Sequence, residues 1–134
     1  MPVISFNFTK ISAERSEARP GSTNIKNSVV MNDVVKTSLK LGPQNQDVLR
    51  VLFEFTSTYE PDRGKIKLFG EVLYLEKPEK LDTLVKAWQK DKKLPKDEAR
   101  SIVNHLLSKC NVEAILLSRE LNLPSPIELP RLTK

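Results

Sequence analysis

The stretch VLRVLFEFTSTYEPDRGKIKLFGEVLYL, residues 48–75, constrains the fold most. Leu49, Val51, Phe53, Phe55 and Tyr59 recur with a period of two, and so do Ile66, Leu68, Val72 and Tyr74. A period of two places side chains on one face of a strand. Between the runs lies Glu60-Pro61-Asp62-Arg63-Gly64, which has the residues of a tight turn. The spacing predicts an antiparallel hairpin with arms of roughly 35–40 Å. Gly70 interrupts the second arm and predicts a bulge or a close backbone approach. The opposite faces are also apolar in part, with Val48 and Leu52 on one arm and Phe69, Leu73 and Leu75 on the other. An antiparallel sheet commonly keeps one solvated face. This one therefore predicts cover on both sides, helices on one and a partner chain or ligand on the other.

Two more strands precede the hairpin. In PVISFNFTKISAE, residues 2–14, Ile4, Phe6 and Phe8 share a face. Ile11 and Ala13 then carry the opposite phase, so a bulge is expected near Thr9 or Lys10. Residues 15–24, RSEARPGSTN, read as a loop broken by Pro20-Gly21. Residues 25–41 alternate again, with Val29, Met31, Val35, Leu39 and Leu41 on one parity and Asp33 marking a bulge or strand end. GPQNQ, residues 42–46, reads as a turn.

From residue 78 the period becomes helical. Leu81, Leu84, Val85 and Trp88 form one stripe. Pro95, Asp97 and Glu98 suit the start of a second helix. Ala99, Ile102, Val103, Leu106, Leu107 and Cys110 give its stripe, continued by Val112, Ile115, Leu116 and Leu121 with slippage near Asn111. A helix over 95–121 would be about 39 Å long, close to the hairpin arms. The tail LNLPSPIELPRLTK holds Pro124, Pro126 and Pro130, which exclude a helix. Its Leu121, Leu123, Ile127, Leu129 and Leu132 predict an extended path over the protein's own surface. The fold class is thus α+β in a single domain over 1–134: a four-stranded antiparallel sheet, C-terminal helices and an extended proline-containing tail.

Few catalytic patterns fit this chain. The glycines are Gly21, Gly42, Gly64 and Gly70, and no phosphate-binding loop can be built from them. One cysteine and one histidine leave no disulfide framework or zinc set, and no cofactor is expected. Cys110 and His105 fall on the same helix about 140° apart, with the thiol on the apolar stripe, so an inert buried thiol is expected. An enzyme is not expected. No apolar run reaches the ~20 residues of a membrane span. MPVISFNFTK lacks a basic start followed by a long apolar stretch, so a cytoplasmic protein is expected. Twenty-two basic against 17 acidic residues give a net charge of +5. Lys86, Lys90, Lys92, Lys93, Lys96 and Arg100 are the densest basic segment, interrupted by Asp91, Asp97 and Glu98. Such a segment reads as a solvated surface, or alternatively as a contact for nucleic acid or the ribosome.

The element order and four segments resemble the SecB-type export chaperones. The segments are VLRVLFEFTSTYE (48–60), GKIKLFGEVLYL (64–75), ARSIVNHLLSKCN (99–111) and LNLPSPIELP (121–130). Similar small SecB-like proteins occur in archaea. The resemblance implies a holdase that binds unfolded or nascent polypeptide through apolar sheet surface and assembles as a dimer or tetramer. By matched strand positions it implies Phe53, Phe55, Phe69, Leu73 and Tyr74 as the peptide-binding residues. SecB chaperones are typically acidic and dock an export motor through that charge. This chain is basic and departs from the family in the charge that docks the motor. The N-terminal strand and residues 78–98 have no clear family counterpart.

Overall fold

The computed structural model describes residues 3–16 and 23–126. Its elements are β1 (Val3–Arg15), β2 (Asn24–Leu41), β3 (Gln44–Glu60), β4 (Gly64–Tyr74), α1 (Pro78–Asp91) and α2 (Lys96–Glu120). The strands form one antiparallel sheet in the order β1-β4-β3-β2. Strands β2, β3 and β4 follow one another as a meander, and β1 lies beside β4, which is a Greek-key arrangement. The α+β architecture expected from the sequence is therefore present.

The hairpin of β3 and β4 pairs in register from Tyr59↔Gly64 to Leu49↔Tyr74. Its turn is Pro61-Asp62-Arg63, with a cis Glu60–Pro61 bond and Asp62 at φ 49°. The β2–β3 connection is tighter than the 42–46 turn read from sequence. Only Gly42 and Pro43 turn, Gly42 taking φ 69°, and pairing resumes at Leu41↔Gln44. Two residues suffice to reverse an antiparallel pair. At the two ends of the loop read over 15–24, Arg15 and Asn24 belong to strands, and residues 17–22 lie outside the described residues.

Both expected bulges exist. The β1 register shifts between Phe8 and Lys10, and the β2 register shifts between Met31 and Asp33. The second shift corrects the face assignment of β2. An extra residue inverts the alternation beyond it. Val34 rather than Val35 therefore enters the core, at 1% exposure. Gly70 marks a close approach, with no shift in its pairing to Phe53. A Cβ there would stand 2.6 Å from the Phe53 ring and closer still to the Asn7 carbonyl oxygen.

The helices cover one face. Leu49, Val51, Phe53, Phe55 and Tyr59 of β3 join Ile66, Leu68, Val72 and Tyr74 of β4 in one core with Leu81, Leu84 and Trp88 of α1. Ile102, Leu106, Cys110 and Ala114 of α2 complete it. Pro78 opens α1, and Lys92 ends it in the left-handed region at φ 55°. Helix α2 has 25 residues and Pro95 as its N-cap, with Asp97 and Glu98 in the first turn. Its buried positions run Ile102, Leu106, Cys110, Ala114 and Ser118. Val112 and Leu116, expected on that stripe, are 60% and 50% exposed. Val112 lies about 200° round the helix from Cys110, on the far side. The small residues Ala114 and Ser118 take the buried line instead, four and eight residues on from Cys110.

Polar contacts fix the layers. Trp88 Nε1 donates to Asp33 Oδ1 at 3.2 Å, beside the β2 bulge, and the Val34 N–H donates to the same oxygen at 2.9 Å. Lys36 pairs with Asp82 at 3.2 Å, and Lys80 bridges Glu76 and Glu98 at 3.7 and 3.4 Å. Beyond α2 the chain runs back over the sheet as far as Pro126. The apolar positions Ile127, Leu129 and Leu132 lie outside the described residues.

Candidate polypeptide-binding surface

The alternation of β3 and β4 gives the sheet a second face opposite the helices. On it Arg50, Leu52 and Glu54 of β3 stand against Leu73, Glu71 and Phe69 of β4, each opposite pair in register. All six are half-buried. Diagonal neighbours on a sheet face are within reach of long side chains. Leu52, opposite Glu71, is thus the diagonal neighbour of both Leu73 and Phe69, and the three make a small apolar triangle. Ion pairs run along diagonals parallel to Leu52–Phe69. Arg50 Nη2 is 2.6 Å from Glu71 Oε2, its Nε donates to the same oxygen at 2.7 Å, and Lys67 Nζ is 3.9 Å from Glu54. Lys10 Nζ of β1 sits 5.7 Å from the Phe69 ring centroid. Val30 continues this face at the β2 edge, 51% exposed, whereas Val48 on the same parity is fully buried. The face is therefore a mixed surface: a small apolar triangle framed by ion pairs.

The five residues implied by the family resemblance divide between the two faces. Phe69 and Leu73 belong to the helix-free face. Phe53, Phe55 and Tyr74 point under the helices, 1%, 0% and 2% exposed. They share two strands but do not line one groove. Leu52, Arg50 and Glu71 complete the outer surface and were not singled out as site residues. Their parity was visible in sequence, but their diagonal contacts depend on the register.

An aromatic cluster packs behind this surface, on the helix side. Phe6 lies 5.2 Å from Phe8 and 5.2 Å from Phe53, and His105 of α2 lies 5.9 Å from Phe6 and 6.2 Å from Tyr74. His105 Nε2 and Tyr74 Oη are buried with no hydrogen-bond partner among the described residues. Burial, aided by the nearby Lys109 charge, holds His105 below its ordinary value. Burial pushes the Tyr74 phenol up to about 12. It also pushes the Cys110 thiol up to about 12, so Cys110 stays protonated at neutral pH and is a poor nucleophile. Among the described residues no group of His, Cys, Asp and Glu could hold a metal ion.

The basic residues Lys86, Lys90, Lys92, Lys93, Lys96 and Arg100 are all exposed, on α1, the connector and the start of α2. Lys92 Nζ rests 5.9 Å from the Trp88 ring centroid. None of the six is in a carboxylate ion pair among the described residues. No described helix is long and apolar enough to cross a membrane.

No protein-family model matches the chain, and no curated protein matches it. Among solved structures, the SecB-like chaperone Rv1957 of Mycobacterium tuberculosis, in complex with a ChAD peptide from the Rv1956 HigA1 antitoxin, aligns with it. The alignment covers 99% of this chain and 91% of that one, at 11% identity and a TM-score of 0.45. At that score the likeness is too loose to assign the fold family.

Proposed function

We propose that the chain is a non-catalytic polypeptide-binding module that works as a SecB-like holdase in the cytoplasm. The observation that carries this reading is the helix-free triangle of Leu73, Leu52 and Phe69, half-buried and framed by the Arg50–Glu71 and Lys67–Glu54 pairs. Full burial of a large apolar side chain from an exposed start contributes about 1.5–3 kcal/mol, so covering a half-buried one contributes roughly half of that. The paired charges keep the empty face soluble without presenting a strong field of either sign. Phe53, Phe55 and Tyr74 act in this reading as the rigid backing of the same two strands. Self-association into a dimer or tetramer is part of the proposal, through this face or through the exposed Val112 and Leu116 ridge of α2.

The test is suppression of aggregation of an unfolded client. Wild-type protein is expected to suppress it at moderate salt, because apolar burial resists screening. Phe69→Ser combined with Leu73→Ser is expected to abolish most of that effect. A folded double variant with full activity would remove the surface assignment. A second reading, nucleic-acid binding, is favoured by the six exposed basic residues, which have no carboxylate partner among the described residues. Its signature is steep salt dependence of RNA binding, a log–log slope of about −0.7 per phosphate contacted on single strands.

A further inference from the structure

The end of α2 is built to redirect the chain. Asn122 takes the left-handed region at φ 55°. The Leu123 N–H returns to the Ser118 carbonyl at 2.8 Å and the Asn122 N–H to the Arg119 carbonyl at 3.2 Å. This paired closure stops a helix and fixes the direction in which the chain leaves it. The chain leaves as a strap, residues 121–126, that crosses the helix side of the sheet at its hairpin end.

The strap meets the four strands in their spatial order. Over β1, Arg15 Nη1 donates to the Leu121 and Asn122 carbonyls at 2.9 and 3.4 Å. Over β4, Leu123 packs on Gly64, where a Cβ would come within 3.2 Å of its side chain. Over β3, the Tyr59 hydroxyl donates to the Pro124 carbonyl at 2.7 Å. Over β2, Asn27 Nδ2 donates to the Pro126 carbonyl at 2.8 Å. The dimensions agree: three interstrand gaps of about 4.8 Å span roughly 14 Å, and five extended residues at about 3.3 Å reach roughly 16 Å.

The chemistry of this cradle is that of a receptor for main chain. Three strands each supply a side-chain donor, and every donor goes to a backbone carbonyl rather than to a side chain. Proline has no N–H to leave unsatisfied. An extended segment punctuated by prolines therefore meets nearly all its polar needs through its carbonyls, which these donors serve. An apolar side chain, Leu123, sits over Gly64, and Pro126 is buried at the far end. Nearer its start the strap is partly open. Asn122 and Pro124 are exposed, and a cavity of about 80 Å³ remains beside it, lined in part by Arg15, Ser16, Thr23 and Arg63.

We propose that Arg15, Gly64, Tyr59 and Asn27 form a second polypeptide site, which takes an extended, proline-containing segment of another chain and which the 121–126 strap occupies in cis as a competitor. This site lies on the opposite face from Phe69 and Leu73, so it stands or falls separately from the holdase surface. A site closed about nine-tenths of the time by its own strap shows a roughly tenfold weakened apparent affinity.

The experiment measures anisotropy of a labelled peptide, LNLPSPIELP, on full-length protein. Leu123→Asp should weaken only the cis strap and raise affinity for the intact peptide by about tenfold. Adding Tyr59→Phe should remove most of the gain. In the wild-type chain, saturating peptide should speed hydrogen exchange across residues 121–126, which needs no variant to fold. Unchanged exchange with peptide bound, or a folded Leu123→Asp protein that binds no tighter than wild type, overturns the proposal. Phe69→Ser with Leu73→Ser serves as the separating control: it should leave peptide binding unchanged while client protection is lost.

Discussion

His105 is the residue whose surroundings predict the most about conditions. Phe6 of β1 and Tyr74 of β4 pack against its ring, Lys109 lies on its own helix, and its Nε2 is buried without a partner among the described residues. Its value in the folded state lies below the ordinary 6.5. As pH falls through 6.5, the unfolded chain therefore binds the proton first, and linkage draws the equilibrium toward unfolding. The contribution of this site to stability is whole above 6.5 and declines as pH drops toward the folded-state value. Urea unfolding at roughly pH 7.5 and roughly pH 5.5 should show a loss in wild type that is smaller in His105→Phe, which cannot titrate. An equal loss in both would assign the acid sensitivity to other groups.

Among the elements, the junction of β2 with α1 shows how one irregularity positions a helix. The bulge after Met31 turns Asp33 so that one carboxylate oxygen receives both the Val34 N–H and the Trp88 indole. Asp33→Ala should cost about 1–3 kcal/mol, because the buried donor of Trp88 loses its acceptor. The cost measured by chemical denaturation should shrink in a Trp88→Phe background, where that donor is already gone. If the two changes were simply additive, the contact would not be a coupling between the layers.

This junction also shows where sequence reading stops. Alternation made the 48–75 hairpin and the first bulge legible, because each apolar residue there occupies a position of the expected parity. Asp33 announced an irregularity without its consequence, since the phase inversion that buries Val34 depends on the extra residue being accommodated. On α2, Ala114 and Ser118 are buried because they continue the every-fourth-residue line of Ile102, Leu106 and Cys110, whereas hydropathy favours Val112 and Leu116. The two faces of the candidate site were legible as parities. Which face the helices take was not, because both carry aromatics. The carbonyl contacts of Arg15, Asn27 and Tyr59 leave no pattern in sequence at all, since a main-chain acceptor is available from any residue.

At the scale of the whole molecule, the Leu73–Leu52–Phe69 triangle and the Val112–Leu116 ridge are apolar surfaces outside the helix–sheet core. They lie on different sides, so they make separable predictions about mass. Light scattering should give a dimer or tetramer. Substitution of Val112 and Leu116 by Lys should lower the mass if the ridge is the interface, and Phe69→Ser with Leu73→Ser should lower it if the sheet face is. A monomer at all concentrations would exclude self-association by either route. Each edge of the sheet is a separate hazard, since an unpaired strand invites another chain. Strand β2, with 18 residues, is the longer edge, and Lys26, Lys36 and Lys40 with the bulge at Asn32 interrupt it.

The Greek-key order has a consequence in time. Strand β1 is made first, yet its sheet partner is β4, which ends at Tyr74. During synthesis Phe6 and Phe8 must remain without their neighbours until β4 is available. Closing that long loop is the slowest kind of contact to form. The cradle that holds the strap includes Arg15 as well, so residues 121–126 make their full set of contacts on a sheet that β1 has already completed.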